Sequence, residues 1–328
     1  MKHPRPVTAA AVAAVAAIGG ALCPAVAVAQ AYPAKTVRLV LPFPPGGPTD
    51  LLGRSVAQKL SEQMGQQVIA DNRPGAGGNL GLELVAKGPA DGYSMVLSSP
   101  LVSISPSLYA RLNYDPAKDL APVSLVAVIQ NLLIVHPSVP AKTLKEFVAL
   151  AKGSPGKLNY GSGGVGTTSH LAPELFKSLT KINMVHVPYK GTGQAMLGMI
   201  GGQIDALVIA APIAAPHAES GKVRPVALFA AERMKVLPNV PTAKEAGVDG
   251  LDVPIWYGIL MQSNTPKDMI GRMNAELVKA LASPDLRDRL AGLGVEATTN
   301  TPDQFAAFIR NETVRFSKVI KDAGIKGE

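Results

Sequence analysis

The chain has 328 residues, with 32 Lys and Arg against 24 Asp and Glu, and a formal net charge of +8. The basic excess is spread along the chain and aromatic residues make up only 5% of it, which argues against a nucleic-acid-binding face. A single cysteine, Cys23, excludes intrachain disulfides and cysteine-built metal centres.

Lys2 and Arg5 precede an Ala/Val-rich apolar run from Val7 to Leu22, and Ala27-Val28-Ala29 places small residues at −3 and −1. This pattern predicts a secretory signal peptide over residues 1–29, cleaved near Ala29, and therefore a periplasmic protein. The run is short for a membrane span and Pro24 interrupts it. Leu22 and Pro24 flank Cys23 and disfavour a lipoprotein signal. Cleavage removes Lys2 and Arg5 and lowers the net charge to +6. A modest positive excess suits an anionic ligand. About 300 residues then remain, more than one core usually organises, so two domains are expected.

Short apolar strands alternate with amphipathic helices. Strands are predicted at Val37–Pro42, Val68–Asp71 and Met95–Ser98, with helices over Asp50–Gln63 and Leu80–Lys87. This βαβαβ order implies a parallel sheet flanked by helices. The pattern restarts with helices at Thr143–Lys152, Thr168–Thr180 and Thr192–Ile200. Its strands are Leu158–Tyr160, Met184–Pro188, Ala206–Ile209 and Val226–Phe229. Ile255–Met261 is again strand-like. Three helices, starting near Pro266, Pro284 and Pro302, close the chain. The expected architecture is bilobed α/β with two parallel-rich sheets. Lobe 1 takes residues 30–126 plus 255–328 and lobe 2 takes residues 127–254. Ligands of open α/β sheets bind beyond the carboxyl ends of the strands, here in a cleft between lobes.

Two loops are candidate anion sites. Pro42-Phe43-Pro44-Pro45-Gly46-Gly47-Pro48-Thr49-Asp50 follows a strand and opens a helix. Its glycines let backbone approach a ligand, Thr49 or Asp50 can cap the helix, and free N–H groups there attract a carboxylate or phosphate. Tyr160 to His170 also joins strand to helix, with four glycines and four Ser/Thr residues in eleven positions. Either loop could equally be a capped turn. The second contains G-x-G-x-x-G at Gly161, Gly163 and Gly166, but the following strand ends Val187-Pro188-Tyr189-Lys190 without the acid a dinucleotide ribose needs. Asp205 precedes a buried-looking strand and could orient the Ser/Thr loop or be a solvated turn acid. Arg73, in a third glycine turn, could meet an anion or serve a hinge. Trp256 and Tyr257 lie near a return crossing between lobes and could line the cleft or pack in the core.

Catalytic patterns are weak. His136, His170, His186 and His217 have no tight ligand spacing, so no metal is expected. No G-x-S-x-G elbow occurs. Ser162 or Ser169 near His170 leaves a Ser/His hydrolase as the enzymatic alternative, without an evident acidic partner. No cofactor is expected.

The ordered fragments Pro42–Asp50, Asn72-Arg73-Pro74-Gly75-Ala76-Gly77-Gly78-Asn79, Asp91-Gly92-Tyr93 and Pro106-Ser107-Leu108-Tyr109 carry a resemblance. So do Tyr114-Asp115-Pro116, His186-Val187-Pro188-Tyr189-Lys190-Gly191, Leu237–Thr242 and Trp256-Tyr257-Gly258. Together they resemble the Bug-type (TctC-like) extracytoplasmic solute receptors of tripartite tricarboxylate transporters. The resemblance implies a Venus-flytrap fold without catalysis. It implies a small carboxylate ligand and delivery to membrane transporter subunits. A sensor as partner would use the same closed state, and a monomer without nucleic acid is expected. It also implies ligand contacts from Pro45, Gly46, Gly47, Thr49 and Asp50 in one loop. In the other they come from Ser162, Gly163, Gly166, Thr167 and Thr168, with Val165 and Asp205 as further candidates. The family often has Asn at the position of Val165, and more polar residues where Val102-Ser103-Ile104-Ser105 and Ala210-Ala211 stand. These departures predict a less polar cleft and a ligand with an apolar or aromatic body.

Overall fold

The computed structural model describes Met1, residues 32–322 and residues 324–325. The expected signal peptide, from residue 2 on, lies outside the described residues.

In chain order the elements are β1 (Val37–Leu41), α1 (Pro48–Met64), β2 (Val68–Asn72), α2 (Asn79–Ala86), β3 (Ser94–Ser98), α3 (Leu101–Leu108), α4 (Pro116–Asp119), β4 (Leu120–Ile129) and β5 (Asn131–Val135). There follow α5 (Leu144–Gly153), β6 (Asn159–Ser162), α6 (Thr168–Thr180), β7 (Val185–Pro188), α7 (Thr192–Ile200), β8 (Ala206–Ala210), α8 (Ala211–Glu219) and β9 (Arg224–Phe229). The chain ends with β10 (Ile255–Gln262), α9 (Lys267–Ala282), α10 (Pro284–Gly292), β11 (Val295–Ala297) and α11 (Pro302–Asp322). A short 3₁₀ turn, Ala76–Gly78, precedes α2.

They form two sheets. One has order β11-β4-β10-β3-β1-β2, the other β7-β6-β8-β5-β9. The predicted parallel units are present: β1 pairs β2 and β3 in parallel, and β6 pairs β7 and β8 in parallel. Each sheet is nevertheless mixed, because the strands that carry the chain between sheets add antiparallel. These are β4, β5 and β10, with β9 and β11 at the edges. A crossover helix enforces parallel pairing, and a direct crossing does not.

The chain passes from the first sheet to the second at Gln130, between β4 and β5, and returns into β10. The two passages lie side by side. Ile255 pairs with Ile129, and the buried Asn131 donates its side-chain N–H to the Val253 carbonyl at 2.7 Å. No glycine or proline marks the first passage. Leu120–Val135 is almost wholly apolar and lacks the alternation that betrays a half-exposed strand, so these two strands escape the sequence patterns.

Strand alternation builds two cores on the second sheet. Leu133, Val135, Ala206 and Val208 face Phe147 and Phe176 of α5 and α6. Leu132, Ile134, Leu207 and Ile209 face Met196 and Met199 of α7 and Ala214 of α8. On the first sheet, Val40, Val96 and Leu260 pack with Leu82 of α2 and Phe305 of α11. Trp256 sits edge-on to Phe305 and Phe308, and its Nε1–H donates to buried Glu312 at 2.9 Å. Trp256 is therefore a core residue and does not line the cleft.

Gly258 on β10 shows how tight this core is. A methyl group there would lie 2.0 Å from Phe305 Cζ, and that ring is fully buried against Trp256. Gly258→Ala is expected to destabilise the protein by roughly 1–3 kcal/mol through overpacking, read as a lower midpoint in urea unfolding. An unchanged midpoint would contradict this packing.

Candidate ligand-binding cleft

Four helices begin at one cleft. The loop after β1 ends in α1, and Ser99 after β3 leads into α3. The glycine-rich loop after β6 ends in α6, and Gly191 after β7 caps α7. Each start leaves backbone N–H groups without an intrahelical acceptor. Those of Thr49, Thr168 and Ser169 have no acceptor among the described residues. The helix dipoles add partial positive charge at the same place.

The starts surround an inner chamber of about 100 Å³. Its wall includes Pro45, Gly47, Thr49, Ser99, Gly163, Thr167, Thr168, Thr192, Ile255 and Tyr257. An outer chamber of about 770 Å³ adjoins it, walled by Phe43, Gly75–Gly78, Tyr109, Val165, Pro188 and Tyr189 among others. None of the described residues lining either chamber is acidic, and Lys190, which lines both, is their one charged residue.

The first loop is shaped from behind. Asp50 accepts from Gly46 N–H at 3.2 Å, Arg54 Nε at 2.9 Å and Asn72 Nδ2 at 3.0 Å. Burial alone would raise its carboxyl, but these donors win and hold it below the usual carboxylate range. The Asp50 side chain thus spends its acceptors on the loop and does not line a chamber. Gly46, at φ +87°, makes the turn that this clasp closes, and it too lies outside both linings.

The second loop is held by a buried polar network. Ser162 Oγ lies 2.6 Å from His186 Nε2 and accepts from Gly164 N–H at 3.1 Å. Ser169 Oγ accepts from Gly163 N–H at 2.9 Å and meets Thr167 Oγ1 at 2.9 Å. His170 Nδ1 accepts from Gly166 N–H at 3.3 Å, which places the proton of the neutral ring on Nε2. The His170 and His186 rings stack at 4.2 Å, and Tyr160 stacks on His186 at 4.9 Å. Burial first, and the neighbouring His170 second, push His186 down to about 4. Burial likewise lowers His170. Both rings are neutral at pH 7 and act as props for the loop.

Of the sequence candidates, the structure brings Pro45, Gly47, Thr49, Gly163, Thr167 and Thr168 together around the inner chamber. Val165 lines only the outer chamber. Its carbonyl accepts from Tyr109 Oη at 3.0 Å, a bond that joins the two sides of the cleft. Ser162 is fully buried beneath the chamber, and Gly166 is pressed against Leu108 and Tyr109. Asp205 stands at the opposite end of the sheet, where it accepts from Asn159 N–H at 2.7 Å at the start of β6, away from the cleft. Arg73 pairs with Asp71. Val102 and Ala210 are buried in the cores behind the cleft and are absent from both walls. Ser99, Lys190, Thr192 and Gln194 line the inner chamber and were not among the candidates. A lone residue after a strand gives no local signal, although the run Pro188-Tyr189-Lys190-Gly191-Thr192 repeats the strand–glycine–helix grammar of the other two loops. Tyr257 lines the inner chamber, with its phenol pushed upward by burial.

The chain matches the family model described as tripartite tricarboxylate transporter family receptor (TctC) over residues 52–325. It belongs to this family. The protein BugT of Bordetella pertussis is 34% identical over 301 residues, covering 91% of this chain and 92% of BugT. Rpa4515 of R. palustris, solved with adipate, is 35% identical with a TM-score of 0.88, covering 90% of this chain and 100% of that one. MatC of Rhodopseudomonas palustris, solved with bound malate, is 32% identical with a TM-score of 0.84, covering 88% and 100%. As a TctC receptor the chain is a solute-binding protein and not an enzyme, and its bilobed α/β fold is the periplasmic-binding-protein fold. The buried Ser162–His186 contact is accordingly structural, and the hydrolase alternative is set aside. No helix among the described residues is long and apolar enough to cross a membrane.

Two outcomes follow from the loop network. Ser162→Ala strands Gly164 N–H and the His186 ring, and is expected to cost about 1–3 kcal/mol of stability, measured by denaturant unfolding. Acidification from about pH 6.5 towards 4 is expected to lower the melting temperature, because the unfolded chain then takes up the proton that folded His186 refuses. His186→Asn should flatten the dependence in that window. An equally steep dependence in His186→Asn would remove His186 from the account.

Proposed function

We propose that this receptor captures a small carboxylate in the periplasm, with one carboxylate group in the inner chamber. The observation that carries this reading is the electrostatic character of that chamber. Helix starts supply unpaired N–H groups, Thr168 supplies a hydroxyl without a partner among the described residues, and no acid stands on the wall. Adipate in Rpa4515 and malate in MatC are both carboxylates, which supports the reading.

The body of the ligand would lie in the outer chamber beside Phe43, Tyr109, Val165 and the proline-rich rim. An apolar or aromatic body is therefore retained, now on those walls and no longer on Val102 or Ala210. In this reading the chain is exported by its signal peptide and cleaved near Ala29. The two lobes move about the passages at Gln130 and Val253, which shifts the first division from residue 126 to 130. The closed receptor then delivers its ligand to membrane subunits of a tripartite transporter. A sensor partner would read the same closed state.

Thr168→Val keeps shape and removes the hydroxyl. It is expected to weaken adipate and malate binding by about 10- to 100-fold, with an unchanged melting temperature, in isothermal titration calorimetry. Unchanged affinity for both acids would take the carboxylate out of the inner chamber.

A further inference from the structure

The two chambers meet at a ring of six residues that line both. Phe43 and Pro44 come from the first loop, and Gly163, Lys190, Gly191 and Gln194 from the other side. Lys190 is the only charged member. Its side chain is exposed and has no ion pair or hydrogen bond among the described residues. It immediately precedes Gly191, which caps α7, so its ammonium and the start of α7 act on an anion with the same sign.

Size sets what must pass this ring. A cavity of about 150 Å³ takes one benzene ring. The inner chamber, at about 100 Å³, holds a carboxylate and a short stub of carbon. The far end of a longer ligand then stands at this ring, at the mouth of the outer chamber of about 770 Å³. The ring presents apolar Phe43 and Pro44 from the first loop and the ammonium of Lys190 from the other side.

Resting on the carboxylate reading above, we propose that Lys190 forms a second subsite at this ring, which takes the distal carboxylate of a linear dicarboxylate. Gln194 adds a neutral amide donor to the same subsite. Lys190 is thereby the residue that separates dicarboxylates from monocarboxylates of equal length, while the inner chamber treats their first carboxylate alike.

Calorimetric titration with adipate and hexanoate, which have the same carbon number, tests this at low ionic strength. In the wild-type protein adipate should bind about 10-fold tighter than hexanoate, the range of a hydrogen bond to a charged group. Lys190→Met should weaken adipate about 10-fold and leave hexanoate within about 2-fold, whereas Lys190→Arg should keep the preference for adipate. Raising the salt should narrow the wild-type gap. An adipate preference that persists in Lys190→Met would overturn the subsite, with the inner-chamber reading left standing by the effect of Thr168→Val on both acids. Failure of both acids to bind wild-type protein would overturn the carboxylate reading and the subsite with it.

Discussion

Backbone N–H groups at the start of a helix must find an acceptor or face water. In this receptor several helices begin on the walls of one small chamber, so the donors that each helix leaves over converge there. The field they create is positive, and the Asp50 carboxylate behind the first loop is paired with Arg54 and hydrogen-bonded by Asn72. That geometry favours an anion and arises where both sheets present their strand ends to the cleft. The loops that carry the donors need glycine where backbones meet. A side chain at Gly163 would lie 2.9 Å from Thr192 N, and one at Gly77 2.7 Å from the Val165 carbonyl.

The same constraint explains why the loops are stiff. An anion site made of backbone donors works only if the donors stay aimed, and the work of aiming falls on side chains behind the wall. Asp50 clasps the first loop from lobe 1. Ser162, Ser169, His170 and His186 clasp the second, with the rings kept neutral by burial so that the wall gains no second charge. Tyr109 reaches across to Val165, and Leu171 packs with Leu108 and Phe316, so the two sides are held together around the chambers. The paired passages at Ile129 and Ile255, tied by Asn131, join the two sheets beside the inner chamber, which Ile255 helps to line.

Much of this was legible in the sequence. The strand–glycine–helix loops at Pro42–Asp50 and Tyr160–His170 were readable because glycine and proline punctuate strongly and short apolar strands precede them. Family resemblance supplied the receptor class. Three kinds of information were not local. β4 and β5 hide in one apolar run, since full burial erases alternation. Ser162 and Asp50 look like ligand groups from composition, and only the fold shows their acceptors spent on the loops. Lys190 sits in a motif that the resemblance had already quoted, yet its place on both chamber walls depends on α7 lying opposite Pro44.

The central claim is that backbone donors at the helix starts hold a carboxylate. Amide-resolved NMR of the labelled receptor titrated with adipate tests it directly. The account predicts that the amide resonances of Thr49, Thr168 and Ser169 shift downfield together and saturate with the binding curve, while that of Asn159 beside Asp205 stays in place. Saturable binding that leaves these three amides unmoved would contradict it.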